Sequence, residues 1–130
     1  MAFTSSNLRA LYEQILQLHQ NGQAAVADML TRQLLAAVAT SVDDFYCQAS
    51  LLLEQGRFAD ALKRFDQAMT RGPAPPELLV DRGVALNELG RTDEALASCA
   101  AALKLARDFL PAHLITGNIL LQAGRAEEAL

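Results

Sequence analysis

Gly56-Arg57-Phe58-Ala59-Asp60-Ala61-Leu62 returns 34 residues later as Gly90-Arg91-Thr92-Asp93-Glu94-Ala95-Leu96, and 34 residues after that as Gly124-Arg125-Ala126-Glu127-Glu128-Ala129-Leu130. A fourth glycine, Gly22, stands one interval earlier. In the same phase run Leu18, Leu52, Leu86 and Leu120, four residues before each glycine, and Ala27, Ala61, Ala95 and Ala129, five residues after it. Three residue types held at one stride over four copies mark an internal repeat, and a stride of this length is that of a solenoid.

Working outward from Gly56, the stretch 42–55 places Phe45, Ala49, Leu52 and Leu53 at three- and four-residue steps, on one face of a helix. Ser41 precedes it with Asp44 three residues on, as a capping box requires. Gly56 then sits where a helix end calls for a left-handed backbone. A second helix starts near Phe58 with Ala61, Leu62, Phe65, Ala68 and Met69 on its inner face. It stops at Gly72-Pro73, and Pro75-Pro76 open the next helix, where the missing proline N–H is no loss. Each repeat therefore reads as a helical hairpin. Its alanines mark close contacts between helices, so Ala95→Leu is expected to cost about 1–3 kcal/mol through overpacking.

The chain of 130 residues is 52% hydrophobic, enough for one domain with a real core. Only 5% of it is aromatic and Trp is absent, so that core is built of Leu, Ala and Val. A net charge of −4, with Arg9, Arg32, Arg57, Arg82 and Arg107 scattered along the chain, argues against nucleic acid and against an anionic membrane surface. No apolar run approaches the roughly 18 residues of a membrane span, and the first residues lack a basic start with an apolar run. Cys47 and Cys99 form no Cys-x-x-Cys pair and read as buried thiols, and a cytoplasmic setting is expected.

The repeats resemble the tetratricopeptide repeat family, whose pattern is W-x₂-L-G-x₂-Y…A-x₃-F…P. The second copy follows it through Phe45, Ala49, Leu52, Ala61, Phe65 and Pro73. The third keeps Gly83, Leu86, Ala95 and Ala102, with Cys99 in the aromatic place and Arg107 where proline is usual. The fourth keeps Gly117, Leu120 and Ala129, and the first diverges, with Ile15 in the small place and Thr31 in the aromatic one. Gln48, Arg82 and Thr116 replace the apolar residue usual before the small one. The resemblance, in a bacterial style of repeat, implies an all-α fold: a right-handed superhelical stack of antiparallel hairpins, about seven full helices and a truncated eighth. One domain, 1–130, is expected, with repeats near 8–41, 42–75, 76–109 and 110–130. The last stops inside its second helix, so the chain reads as the N-terminal fragment of a longer protein whose helix 111–123 is uncovered and open to self-association.

The resemblance further implies that a partner peptide lies along an inner groove. Its places are Tyr12 and Leu16, Tyr46 and Ser50, Val80 and Val84, Leu114 and Asn118, flanked by Leu53, Asn87 and Leu121. The Lys, Asn and Arg clamp with which some members grip a carboxylate is missing, Asn118 being the one matching amide. Tyrosine suits binding, with a ring that buries and a hydroxyl that stays wet. Val80 and Val84 fit groove contact and packing between hairpins equally. Asp43, Glu54, Glu77 and Glu88 supply an acidic rim.

Nothing points to catalysis, a cofactor or a metal. His19 and His113 lack a second ligand at helical spacing. The paired acids Asp43-Asp44, Asp93-Glu94 and Glu127-Glu128 fall at helix starts, where the helix dipole favours them. The expected function is a scaffold that binds a protein partner. The alternative is a recruiting or regulatory arm of a larger enzyme resembling glycosyltransferases, methyltransferases or sulfotransferases.

Overall fold

Seven helices follow one another in the computed structural model, which describes the backbone of residues 5–124 and the side chains of residues 8–124. They are α1 (Ser5–Gln20), α2 (Ala24–Ala36), α3 (Val42–Glu54), α4 (Phe58–Met69), α5 (Pro76–Glu88), α6 (Thr92–Leu105) and α7 (Leu110–Gln122). The expected eighth helix, with Arg125 to Leu130, lies outside the described residues.

The turn inside each hairpin is made by the repeated glycine. Gly22, Gly56 and Gly90 take φ of 76°, 76° and 80°. That left-handed conformation lets two N–H groups fold back on the helix end: Gly56 N–H donates to Leu53 O at 3.0 Å and Arg57 N–H to Leu52 O at 2.9 Å. The same pair of bonds recurs at Gly22-Gln23 and at Gly90-Arg91. Gln23, Arg57 and Arg91 also accept the first hydrogen bond of the next helix, from Ala27, Ala61 and Ala95. One residue ends one helix and begins another, so the hairpin geometry is fixed by backbone alone. Between hairpins the stops differ: Ser41 and Asp44 form the expected capping box on α3, and Pro76 stands in the first turn of α5.

Contacts between helices explain the curvature. Each first helix touches the next first helix (α1 with α3, α3 with α5, α5 with α7), whereas α2, α4 and α6 touch no one another. The first helices thus form a continuous inner wall and the second helices splay outward, giving an all-α solenoid. Four apolar clusters run through it rather than one centre. In the second hairpin Ala49 and Phe65 share a cluster. In the third, Gly83 lies so close to α6 that a Cβ there would fall 2.9 Å from Cys99 Sγ and 3.2 Å from Ala95 O. The first hairpin holds Ile15 and Thr31 in the corresponding places and buries both, so its divergence does not loosen it.

Met69, expected on the inner face of α4, is 40% exposed. It borders an open cleft with Leu79, Ala97, Ser98 and Ala101, where the small residues of α6 leave it uncovered. Cys47 and Cys99 are free and fully buried.

Candidate peptide-binding groove

The residues that the resemblance assigned to a groove lie on α1, α3, α5 and α7, and those on α7 are the most exposed. Tyr12 and Leu16 on α1, Tyr46 and Leu53 on α3, and Val84 and Asn87 on α5 are half-buried. Leu114, Asn118 and Leu121 on α7 are exposed, the two leucines by 57% and 58%. Val80 is only 4% exposed and packs with Leu79, Ala102 and Ala112, so its main role is between hairpins. Ser50 is 6% exposed, and its buried Oγ has no hydrogen bond of acceptable geometry.

Polar contacts tie the wall together across repeats. Tyr46 donates its hydroxyl proton to Asp81 Oδ2 at 2.9 Å, and Asn87 Nδ2 donates to Gln122 Oε1 at 2.8 Å. Both pairs are 35 residues apart, one repeat plus one residue. The same offset joins Tyr12 to Cys47 in one apolar cluster and Val80 to Ile115 in another. Asp81 is thus the charged member of a position that elsewhere holds a thiol or an isoleucine.

Sequence reasoning passed over Asp81. Reading the groove places against residues 35 later, rather than only against their own repeat, would have found it. Of the expected acidic rim, Asp43 is engaged by Arg9 at 3.7 Å. Glu54, Glu77 and Glu88 have no ion-pair partner among the described residues.

Burial, first of all, lifts the Tyr46 hydroxyl well above the usual tyrosine value, and the Asp81 charge and hydrogen bond lift it further. Tyr12 is raised by burial, with Glu54 and Asp81 adding to it against the neighbouring Ser50 hydroxyl. Asp81 is itself held above the ordinary carboxylate value, chiefly by burial; the bond from Tyr46 opposes this, and Glu77 and Glu54 reinforce it. The field at the centre of the wall is negative. A cleft of about 180 Å³ opens there, lined by Tyr46, Glu77, Val80, Asp81, Phe109 and Pro111. No group of three or more His, Cys, Asp or Glu among the described residues could hold a metal ion. No described helix is long and apolar enough to cross a membrane.

A sequence profile described as Tetratricopeptide repeat matches residues 46–108. The chain is 28% identical over 94 residues to the TPR repeat-containing thioredoxin TTL4 of Arabidopsis thaliana, covering 72% of this chain and 14% of that protein. It is 33% identical over 87 residues to the human protein O-mannosyl-transferase TMTC2, covering 65% of this chain and 10% of that one. It therefore spans a small part of the length of these relatives. Among solved structures, MamA from Desulfovibrio magneticus RS-1 superposes with a TM-score of 0.74 at 16% identity, over 94% of this chain and 69% of that one. With its 34-residue stride, its glycine-turned hairpins and these matches, the chain belongs to the tetratricopeptide repeat family.

Proposed function

We propose that this chain is a protein-interaction scaffold that binds an extended or helical segment of a partner along the wall formed by α1, α3, α5 and α7. The observation that carries this reading is that the four first helices touch in series, so that their side chains line one continuous wall. Tyr12, Leu16, Tyr46, Leu53, Val84 and Leu114 offer apolar and aromatic contact there, as a helix or strand laid in a groove requires. The repeats near 8–41, 42–75, 76–109 and 110–130 act as one domain. Two free buried thiols suit a reducing cytoplasm.

The test is co-purification from the parent cell with the wild-type chain, Leu114→Arg on the wall and Lys63→Glu on the outer helix α4. A partner held by the wild type and Lys63→Glu but lost with Leu114→Arg supports the groove. A partner lost only with Lys63→Glu places binding on the outer surface and overturns it.

Two relatives whose names carry enzyme activities match over only 14% and 10% of their length, which favours a second reading. In it the chain is a non-catalytic arm that recruits substrate or partner for a larger enzyme, and the parent reading frame decides between an extended array and an appended catalytic domain. Leu110, Leu114 and Leu121 also leave α7 suited to self-association. Sedimentation that stays monomeric at high concentration, with no change on Leu121→Ser, removes that part.

A further inference from the structure

The junction between the first two hairpins holds a bound cation, and the chain supplies it. The Arg9 guanidinium lies 5.9 Å from the centroid of the Tyr12 ring, with Nη1 3.7 Å from Asp43 Oδ1 and 3.7 Å from Cys47 Sγ. Advancing every residue by one repeat turns Tyr12 into Tyr46, Asp43 into Glu77 and Cys47 into Asp81. The ring and the carboxylate are kept, and the thiol becomes a second carboxylate. What changes is the cation: the place of Arg9 is taken by Asp43.

Tyr46, Glu77 and Asp81 line the same open cleft together with Val80, Phe109 and Pro111. Its volume of about 180 Å³ is below that of a pocket for a drug-sized ligand, roughly 300–1,000 Å³, and is on the scale of one side chain. No basic residue among the described residues lines it. Arg9 is committed at the first junction, Arg82 pairs with Asp66, Arg57 with Asp60 and Arg91 with Glu94. Asp81 makes a single hydrogen bond, with Tyr46, and Glu77 makes no ion pair. A half-buried carboxylate stands where the neighbouring repeats place Cys47 and Ile115, and among the described residues no cation pairs with it.

We propose that this cleft seats a basic side chain, arginine foremost, presented by the partner segment that lies in the groove. The guest guanidinium would stack on Tyr46 and bridge Glu77 and Asp81, repeating with a partner's residue the contact that Arg9 makes within the chain. The inference rests on the groove reading and gives the partner a chemistry: an apolar segment with one basic anchor, drawn in by an acidic wall. Lysine fits the charge but lacks the planar fork, so arginine is favoured over it.

The experiment selects a dodecapeptide display library on the wild-type chain, then measures the selected peptides by fluorescence anisotropy. The expected result is one position fixed as Arg or Lys. Binding should weaken about tenfold or more on replacing that residue by citrulline, and likewise on Asp81→Asn with Glu77→Gln, and should weaken as salt rises. Asp81→Asn keeps an acceptor for Tyr46, and an unchanged circular dichroism spectrum certifies the fold of both variants. Peptides without a basic residue that are lost on Leu114→Arg would overturn the basic anchor and leave the groove standing. Peptides insensitive to Leu114→Arg, or none selected, would remove the groove and the anchor with it. Selected basic peptides that bind the double variant as tightly as the wild type would place the anchor outside this cleft and overturn the proposal.

Discussion

Gly83 and Gly117 occupy the same place in successive repeats, both inside helices, and the same substitution should move stability in opposite directions. At Gly83 an added methyl would sit 2.9 Å from Cys99 Sγ and 3.2 Å from Ala95 O. Neither neighbour yields easily, because Cys99 is a short, fully buried side chain and the other atom is backbone. Overpacking of this kind costs about 1–3 kcal/mol. Removing a glycine from a helix interior returns about 0.5–1 kcal/mol. The net for Gly83→Ala is a loss centred near ~1 kcal/mol and reaching about 2.5 kcal/mol, or a few degrees in Tm for a chain of this size. At Gly117 an added Cβ meets nothing within 4 Å, so only the helix gain remains and Gly117→Ala should raise Tm by a few degrees. Thermal unfolding followed by circular dichroism measures both. Cys99→Ala in the Gly83→Ala background should recover part of the loss, as coupled neighbours do. If Gly83→Ala is as stable as wild type, or if the two alanines shift Tm in the same direction, the close approach of α5 and α6 is not what holds the glycine there.

Three further outcomes follow from single contacts. Ser41→Ala removes the hydroxyl that accepts from Asp44 N–H at 3.1 Å and should cost about 1 kcal/mol by denaturant unfolding, whereas Arg57→Ala, at a helix start without a side-chain cap, should cost less. Burial and the nearby Asp43 push the Cys47 thiol up to about 11 against the pull of Arg9, and burial raises Cys99. Both thiols should therefore resist iodoacetamide near neutral pH in the folded chain and react in denaturant. Asp81 has a folded pKa raised above its unfolded one, so its stabilising contribution is full below the ordinary carboxylate value and is lost as pH rises through the raised value. Asp81→Asn should be more stable than wild type at neutral pH, and the difference should shrink toward pH 4; a gap that widens on acidification would show that the bond with Tyr46 outweighs burial.

The fold was legible because its turns are made by backbone. A glycine with positive φ and two N–H bonds to the preceding helix demands one residue type at one place, so the stride of Gly22, Gly56 and Gly90 transmits directly to hairpin geometry. Capping by Ser41 and Asp44 and the proline start of α5 are equally local. Packing was less legible, because it depends on pairs. Ile15 looks too large and Thr31 too small for their repeat places, yet both are buried. Met69 has the right spacing for a core residue and is exposed, because Ala97, Ser98 and Ala101 give it nothing to pack against.

The groove was legible in part for a geometric reason. The resemblance assigns groove places by their position within a repeat, and in this way it named Tyr12, Tyr46, Val84 and Leu114. It does not tell which inward residues from neighbouring hairpins meet, because that depends on how one first helix lies against the next. In this chain the meeting offset is 35 residues, shown by the bonds Tyr46 to Asp81 and Asn87 to Gln122. Once the offset is known, an ordinary aspartate becomes an anomaly, a carboxylate where the flanking repeats hold Cys47 and Ile115. Burying a charge without a cation works against folding. A fold selected for stability alone would carry an apolar residue there, which is why the increase in stability expected for Asp81→Asn and the weaker hold on a basic ligand expected when Asp81→Asn is combined with Glu77→Gln are two sides of one argument.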